Sequence, residues 1–268
     1  MSRSRHTATI RQLRTIRADA RTALFYSSNW ITVILVGFAL MLLLWGAWSV
    51  SDRMLSIASG FIEIPSIAGT VMHVLLYLLL TPLILGFISF CTDLIRVSRG
   101  DGSGRVPPTV VFSVYTSGRS IIRAWLCLPL QLLPWLIYAV CVVLGNRFFP
   151  LTGLGGIVSA SVYTTVLVFS AVLLLLTCLF FSALLSPLTY LCVTRPELSF
   201  RAIASAMRSM TRYTVLQSVL LQLSLLTALA LSVLLTAGVA AFLYVLPIGL
   251  FEYLCLCESS AHRTDSAL

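Results

Sequence analysis

Residues 192–213, CVTRPELSFRAIASAMRSMTRY, form a polar island with four arginines between two long apolar runs. Pro196 holds the residue before it extended, so the preceding helix ends near Thr194. A new helix starts with Ser199 as N-cap, or with Thr194 as cap and Glu197 three residues on. At 3.6 residues per turn Arg201, Arg208 and Arg212 share one stripe, and Phe200, Ile203, Met207 and Met210 gather on the far side. The island therefore reads as the turn-around between two membrane helices, carried on an amphipathic helix lying in the plane of the interface.

The whole chain fits that reading. Its 268 residues are 59% hydrophobic and 10% charged, far from the roughly 45–50% and 25% of soluble domains. A spanning helix needs about 20 apolar residues, and six runs qualify: 30–48, 71–93, 124–144, 157–191, 215–235 and 239–257. No run alternates as a membrane barrel strand must. The expected fold is all-α, a six-helix transmembrane bundle in a single integral membrane domain. Residues 1–28 form an amphipathic N-terminal helix and residues 258–268 a short tail.

All 18 basic residues are arginine. Sixteen fall before the first span, between spans two and three, between spans four and five, or in the tail, and only Arg53 and Arg147 lie on the other side. Positive charge marks the cytoplasmic side, so both termini are expected there. The formal charge of +9 then reflects topology and contact with anionic lipid headgroups rather than nucleic acid. The N-terminal charged region is too long for a cleaved signal, and the run after it is a full span, so the first helix is retained.

Two echoes of the island precede other spans. Ile10, Leu13, Ile16, Ala20 and Leu24 make an apolar stripe beside Arg11, Arg14, Arg17 and Arg21, whose stems can snorkel to headgroups. Residues 110–125 make a shorter version, with Arg119 and Arg123 one turn apart. Each returning span also carries a proline followed by an aliphatic residue, at Pro82, Pro187 and Pro247. A helix proline frees a backbone carbonyl one turn earlier, which must find a hydroxyl, a water or a neighbouring helix. Thr81 and Ser186 stand ready to supply hydroxyls. Together these features suggest three repeated helical hairpins, each led by an interfacial helix, with the prolines facing inward.

Material for chemistry is sparse. Ionisable groups within a bilayer are costly and usually functional; Glu252 is the candidate of interest, beside Asp93 and His73, with Arg96 or Arg201 as its expected counterion. Gln131, Gln217 and Gln222 can bond between helices. No zinc-protease spacing, phosphate loop or serine elbow occurs, and RGDGSGR at 99–105 reads as a flexible turn. Seven cysteines lie in or at the ends of spans, without a disulfide framework; Cys255 and Cys257 point to nearly opposite helix faces. No catalytic, metal or cofactor site is expected, and no enzyme activity.

Ala20-Arg21, Asn29-Trp30, Pro82 with Gly86, Arg99-Gly100-Asp101, Pro196-Glu197 with Ala202-Ile203, Thr236 with Gly238, and Pro247 with Phe251 to Tyr253 together carry a likeness. Over nearly its whole length the chain resembles the bacterial six-span membrane proteins of the domain of unknown function 975 family. It departs at Met210-Thr211-Arg212-Tyr213, where that family tends to have a glycine and a lysine after the methionine. It departs again at Pro247-Ile248, where the family has proline-tyrosine. The resemblance implies the architecture and a bacterial cytoplasmic membrane, and brings no catalytic residues.

Two functions from different classes fit. A non-enzymatic scaffold or partner subunit, binding lipid and another membrane protein, accounts for the arginine helices and the scarcity of charge in the spans. A carrier or channel for an apolar or amphipathic solute or lipid accounts for the repeated prolines. A polar cavity at mid-depth touching Glu252 or the glutamines would favour the second, and a closed core the first.

Overall fold

The computed structural model describes residues 2–26, 29–59, 66–100, 105–148 and 160–265. Most of the 99–105 loop and the expected start of the fourth span at 157 lie outside them. The described helices are α1 Ser2–Phe25, α2 Asn29–Ser59, α3 Ser66–Ser98, α4 Gly118–Phe148, α5 Ala160–Thr194, α6 Phe200–Thr236 and α7 Leu246–Asp265. A 3-10 segment, Pro108–Thr116, precedes α4, and a π-helical turn, Ala241–Val245, leads into α7. No strand occurs among the described residues. Helices α2 to α6, and α7 together with its π turn, are long and apolar enough to cross a membrane, because a lone helix satisfies its own backbone where water is absent. The protein is an all-α, multi-pass membrane protein.

The six spans pack as hairpins α2/α3, α4/α5 and α6/α7. Spans leading away from the arginine-rich end form the rim, with 6% to 11% of their residues buried, and the returning spans form the core, with 22% to 56%. Pro82, Pro187 and Pro247 are all buried, so the prolines face inward. The segments that lead the hairpins are not alike. α1 is a separate helix whose stripe of Leu13, Ile16, Ala20, Ala23 and Leu24 is buried, chiefly against α7; protein, not lipid, covers it. The segment before α4 is the 3-10 turn instead of an amphipathic α-helix. The island joins the fifth span without a break, giving the 37-residue α6, about 55 Å long at 1.5 Å per residue. The separate in-plane helix expected at 200–213 is absent, because no residue between Phe200 and Thr236 interrupts helical hydrogen bonding.

Local chemistry sets the ends. Ser199 caps α6 by accepting from the Ala202 amide at 3.3 Å, and Thr194 ends α5. Asn29 ties the α1–α2 junction by donating to the Ala23 carbonyl at 3.0 Å. α6 stops at Ala237 and Gly238, whose φ values of 49° and 90° place both in the left-handed region that turns a helix end.

The prolines decide how the helices meet. Pro82 leaves the Leu78 carbonyl without its helical amide, and the Trp125 indole of α4 donates to it at 2.6 Å. Pro129 in turn frees the Trp125 carbonyl, which receives the Tyr77 hydroxyl of α3 at 3.3 Å. α3 and α4 thus exchange donors across each other's proline gaps. In the π turn just before Pro247 the Leu243 carbonyl takes the Trp30 indole of α2 at 2.9 Å. Pro187 frees Ala183, served by the neighbouring Ser186 hydroxyl at 2.9 Å. Thr81 does not serve its own proline: its hydroxyl reaches the Tyr77 carbonyl, the position one turn back that helical threonine geometry favours.

Along the same stretch of α3 the 3-10 segment lies in close contact. Tyr115 donates to the Leu79 carbonyl; burial raises its phenol above the usual range, which keeps it a donor. Gly86 faces the Val111 backbone so closely that a Cβ there would stand 1.9 Å from the carbonyl oxygen. Gly86→Ala is therefore expected to cost about 3 kcal/mol or more, read as a large fall in the unfolding midpoint of detergent-solubilised protein. Trp125→Phe should cost about 1 kcal/mol, and Pro82→Ala in the same chain should restore it by giving Leu78 its own amide. A loss that Pro82→Ala leaves untouched would mean that the indole contributes only packing.

Candidate functional site

α7 carries two buried carboxylates, Glu252 and Glu258. Six positions turn a helix by about 240°, so the two face different neighbours. Glu252 lies 3.6 Å from the Arg17 guanidinium of α1. Arg17 also donates to the Ser224 hydroxyl of α6 at 2.6 Å, and Gln12, also on α1, accepts from the Gln217 amide at 2.7 Å. One helix thereby neutralises the carboxylate and ties α6 to α7. The counterion is Arg17, not Arg96 or Arg201: Arg96 sits with Asp93 at 3.8 Å, and Arg201 is exposed on α6. Burying a carboxylate in hydrocarbon demands such a partner, and the N-terminal helix supplies it because its apolar stripe docks on α7.

Glu258 forms an ion pair with Arg99, just beyond the end of α3. Sequence reading assigned residues 258–268 to a tail and passed over this pair, yet α7 continues through Asp265. The signal was present in the run Leu254, Cys257 and Ala261, which extends one helical face past the assumed end.

Arg123 is a second residue whose role the sequence did not disclose. It is buried at the start of α4 and donates to the carbonyls of Arg195 and Leu198, with its guanidinium 5.9 Å from the centre of the Phe200 ring. The turn inside the polar island is thus clamped from α4 by a side chain with donors enough for two carbonyls at once. Nearby, the Cys127 and Cys192 thiols of α4 and α5 meet at 3.0 Å.

A polar seam runs among α4, α5, α6 and α7. Thr189 donates to Gln131, Gln222 to Ser182 at 3.2 Å, Ser218 to Ser186 at 3.3 Å, and Tyr253 to the Ser186 carbonyl. The membrane glutamines therefore bridge helices. At the opposite end of the bundle His73 meets Asp52 at 2.8 Å and stacks on Trp48, latching α2 to α3.

Of the arginines expected at lipid headgroups, Arg11, Arg14, Arg21, Arg201, Arg208 and Arg212 are exposed and Arg17 is half-buried. The site residues expected from sequence are thus divided: Glu252 and Arg17 meet, the three prolines line the core, and the other arginines stay on the surface. Three cavities, one beside Arg96 and His262, one beside Val33 and Phe242 and one beside Thr165 and Phe169, have neither Glu252 nor a membrane glutamine in their walls. No family model, curated protein or solved structure matches the chain.

The Arg17–Glu252 contact is open to a double-mutant cycle. Arg17→Gln and Glu252→Gln should each destabilise the protein, and the pair together by less than the sum, with a coupling of about 1–2 kcal/mol. Strict additivity in unfolding measurements would show that the two groups are neighbours without interaction.

Proposed function

We propose that the protein is a non-enzymatic scaffold or partner subunit of a bacterial cytoplasmic membrane, with both termini on the cytoplasmic side, and a member of the domain of unknown function 975 family. The observation that carries the reading is the division of the spans. The returning helices supply most of the buried residues, and Glu252, the carboxylate that a transport site would use, is held by Arg17. The rim helices α2, α4 and α6 bury few of their residues fully and expose many large apolar side chains, which lipid or the helices of another membrane protein can cover. Exposed Arg201, Arg208 and Arg212 on α6, with Arg11, Arg14 and Arg21 on α1, suit the anionic headgroups beside such an assembly.

The carrier reading would use the prolines of the returning spans as hinges around a solute path. Its weakness is that backbone carbonyls in the turn before each of these prolines are occupied by Trp125, Ser186 and Trp30, which leaves little to coordinate a passing solute. Native mass spectrometry of the protein ejected from its own membrane should show a stoichiometric complex with a second membrane polypeptide. A chain without protein partners that moves an amphipathic solute in proteoliposomes, with flux lost in Glu252→Gln, would overturn the scaffold reading.

A further inference from the structure

At the arginine-rich end, the last turns of α3 and α5 and the final turns of α7 enclose a polar cavity of about 380 Å³. Arg96 enters it from α3, Tyr190 and Arg195 from the end of α5, and Glu258 and His262 from α7. We propose that this cavity binds a phosphate group, held between the guanidinia of Arg96 and Arg195. The proposal does not depend on whether the protein is a scaffold or a carrier.

Charge is the first argument. Two arginines, Arg96 and Arg195, and one carboxylate, Glu258, stand in the walls of the cavity. Glu258 does not repel an anion there, because Arg99 pairs with it directly. Arg96 is only loosely engaged: its contact with Asp93 spans 3.8 Å, and both side chains are about two-fifths exposed. A guanidinium has five donors in a fixed fork, so one loose contact leaves most of them for a ligand.

Shape and chemistry select the ligand class. Two arginines in the walls of one cavity match the several acceptor oxygens of a phosphate, which arginine grips in a bidentate way. The Tyr190 hydroxyl has no hydrogen-bond partner among the described residues and adds a donor, as does the His262 ring. The cavity volume falls at the low end of small-molecule sites, enough for a glycerophosphate headgroup. Its place at the ends of three spanning helices puts it at the depth of lipid headgroups, within reach of either a phospholipid or a soluble phosphate ester. The competing role for Arg96 and Arg195 is to offset the negative ends of α3 and α5; that role needs charge but no fork, and the difference makes the two separable.

The full chain in mild detergent is titrated with short-chain phosphatidylglycerol and, separately, with glycerol 3-phosphate at constant ionic strength. Binding is read by native mass spectrometry and by the shift in unfolding midpoint. One bound molecule per chain is expected, weakened at least about tenfold in the Arg96→Gln/Arg195→Gln variant and unchanged in Arg53→Gln, an exposed arginine at the opposite end of the bundle. Preference for the lipid assigns a headgroup site, and equal or tighter binding of glycerol 3-phosphate assigns a soluble ester; either supports the proposal. If the double glutamine variant fails to fold, Arg96→Lys/Arg195→Lys decides, since lysine keeps the charge at the helix ends and loses the fork. Binding that survives this lysine pair, or absence of binding to both probes in the wild type, overturns the proposal.

Discussion

A backbone carbonyl without a partner is tolerable at a water-exposed surface and costs several kcal/mol in hydrocarbon. This protein places prolines inside α3, α4 and α5 and at the start of α7, and each removes one amide from a helix that has no water to turn to. Where the donor comes from another helix, covering such a carbonyl fixes which helices touch and at what height. Trp125 must lie level with Leu78, and Trp30 level with Leu243. Lipid-facing Leu and Val pack with little directional preference; an indole nitrogen aimed at a single oxygen is directional. The prolines therefore act as registration marks, with the paired gaps of Pro82 and Pro129 fixing α3 against α4 twice over.

The arginines divide in a comparable way. Arg17, Arg99 and Arg123 reach into the fold and serve Glu252, Glu258 and the α5–α6 turn. Arg11, Arg14, Arg21, Arg201, Arg208 and Arg212 remain outside. A guanidinium spreads five donors over a rigid plane and so can serve two partners at once, as Arg17 and Arg123 both do. The charge that orients such a chain in a membrane is thus also structural material.

How much of this was legible in the sequence depends on the range of the interaction involved. Six spans, the Ser199 cap and the end of α5 before Pro196 depend on local length, hydropathy and backbone sterics, and all could be read along the chain. The need of each proline for a donor was equally local. The identity of the donor was not: Ser186 is adjacent to Pro187, but Trp125 comes from the next hairpin, while adjacent Thr81 bonds elsewhere. Glu252 was recognisable as a costly buried charge, whereas its partner Arg17 sits near the other terminus. An amphipathic stripe such as that of α1 has the same periodicity whether lipid or a helix covers it, so the pattern alone could not separate the two. In α6 the change from charged to apolar composition suggested a joint, although nothing there breaks a helix.

The pairing of α1 with α7 bears on how the chain is made. Helix α1 leaves the ribosome before any of the six spans, and it carries an apolar stripe and a guanidinium whose partners, Ser224 and Glu252, follow only in α6 and α7. Insertion of the five intervening spans comes before that docking can happen. Docking of α1 thus waits for α7, and a chain cut short before α7 would leave α1 without its covering helix and Arg17 without its carboxylate.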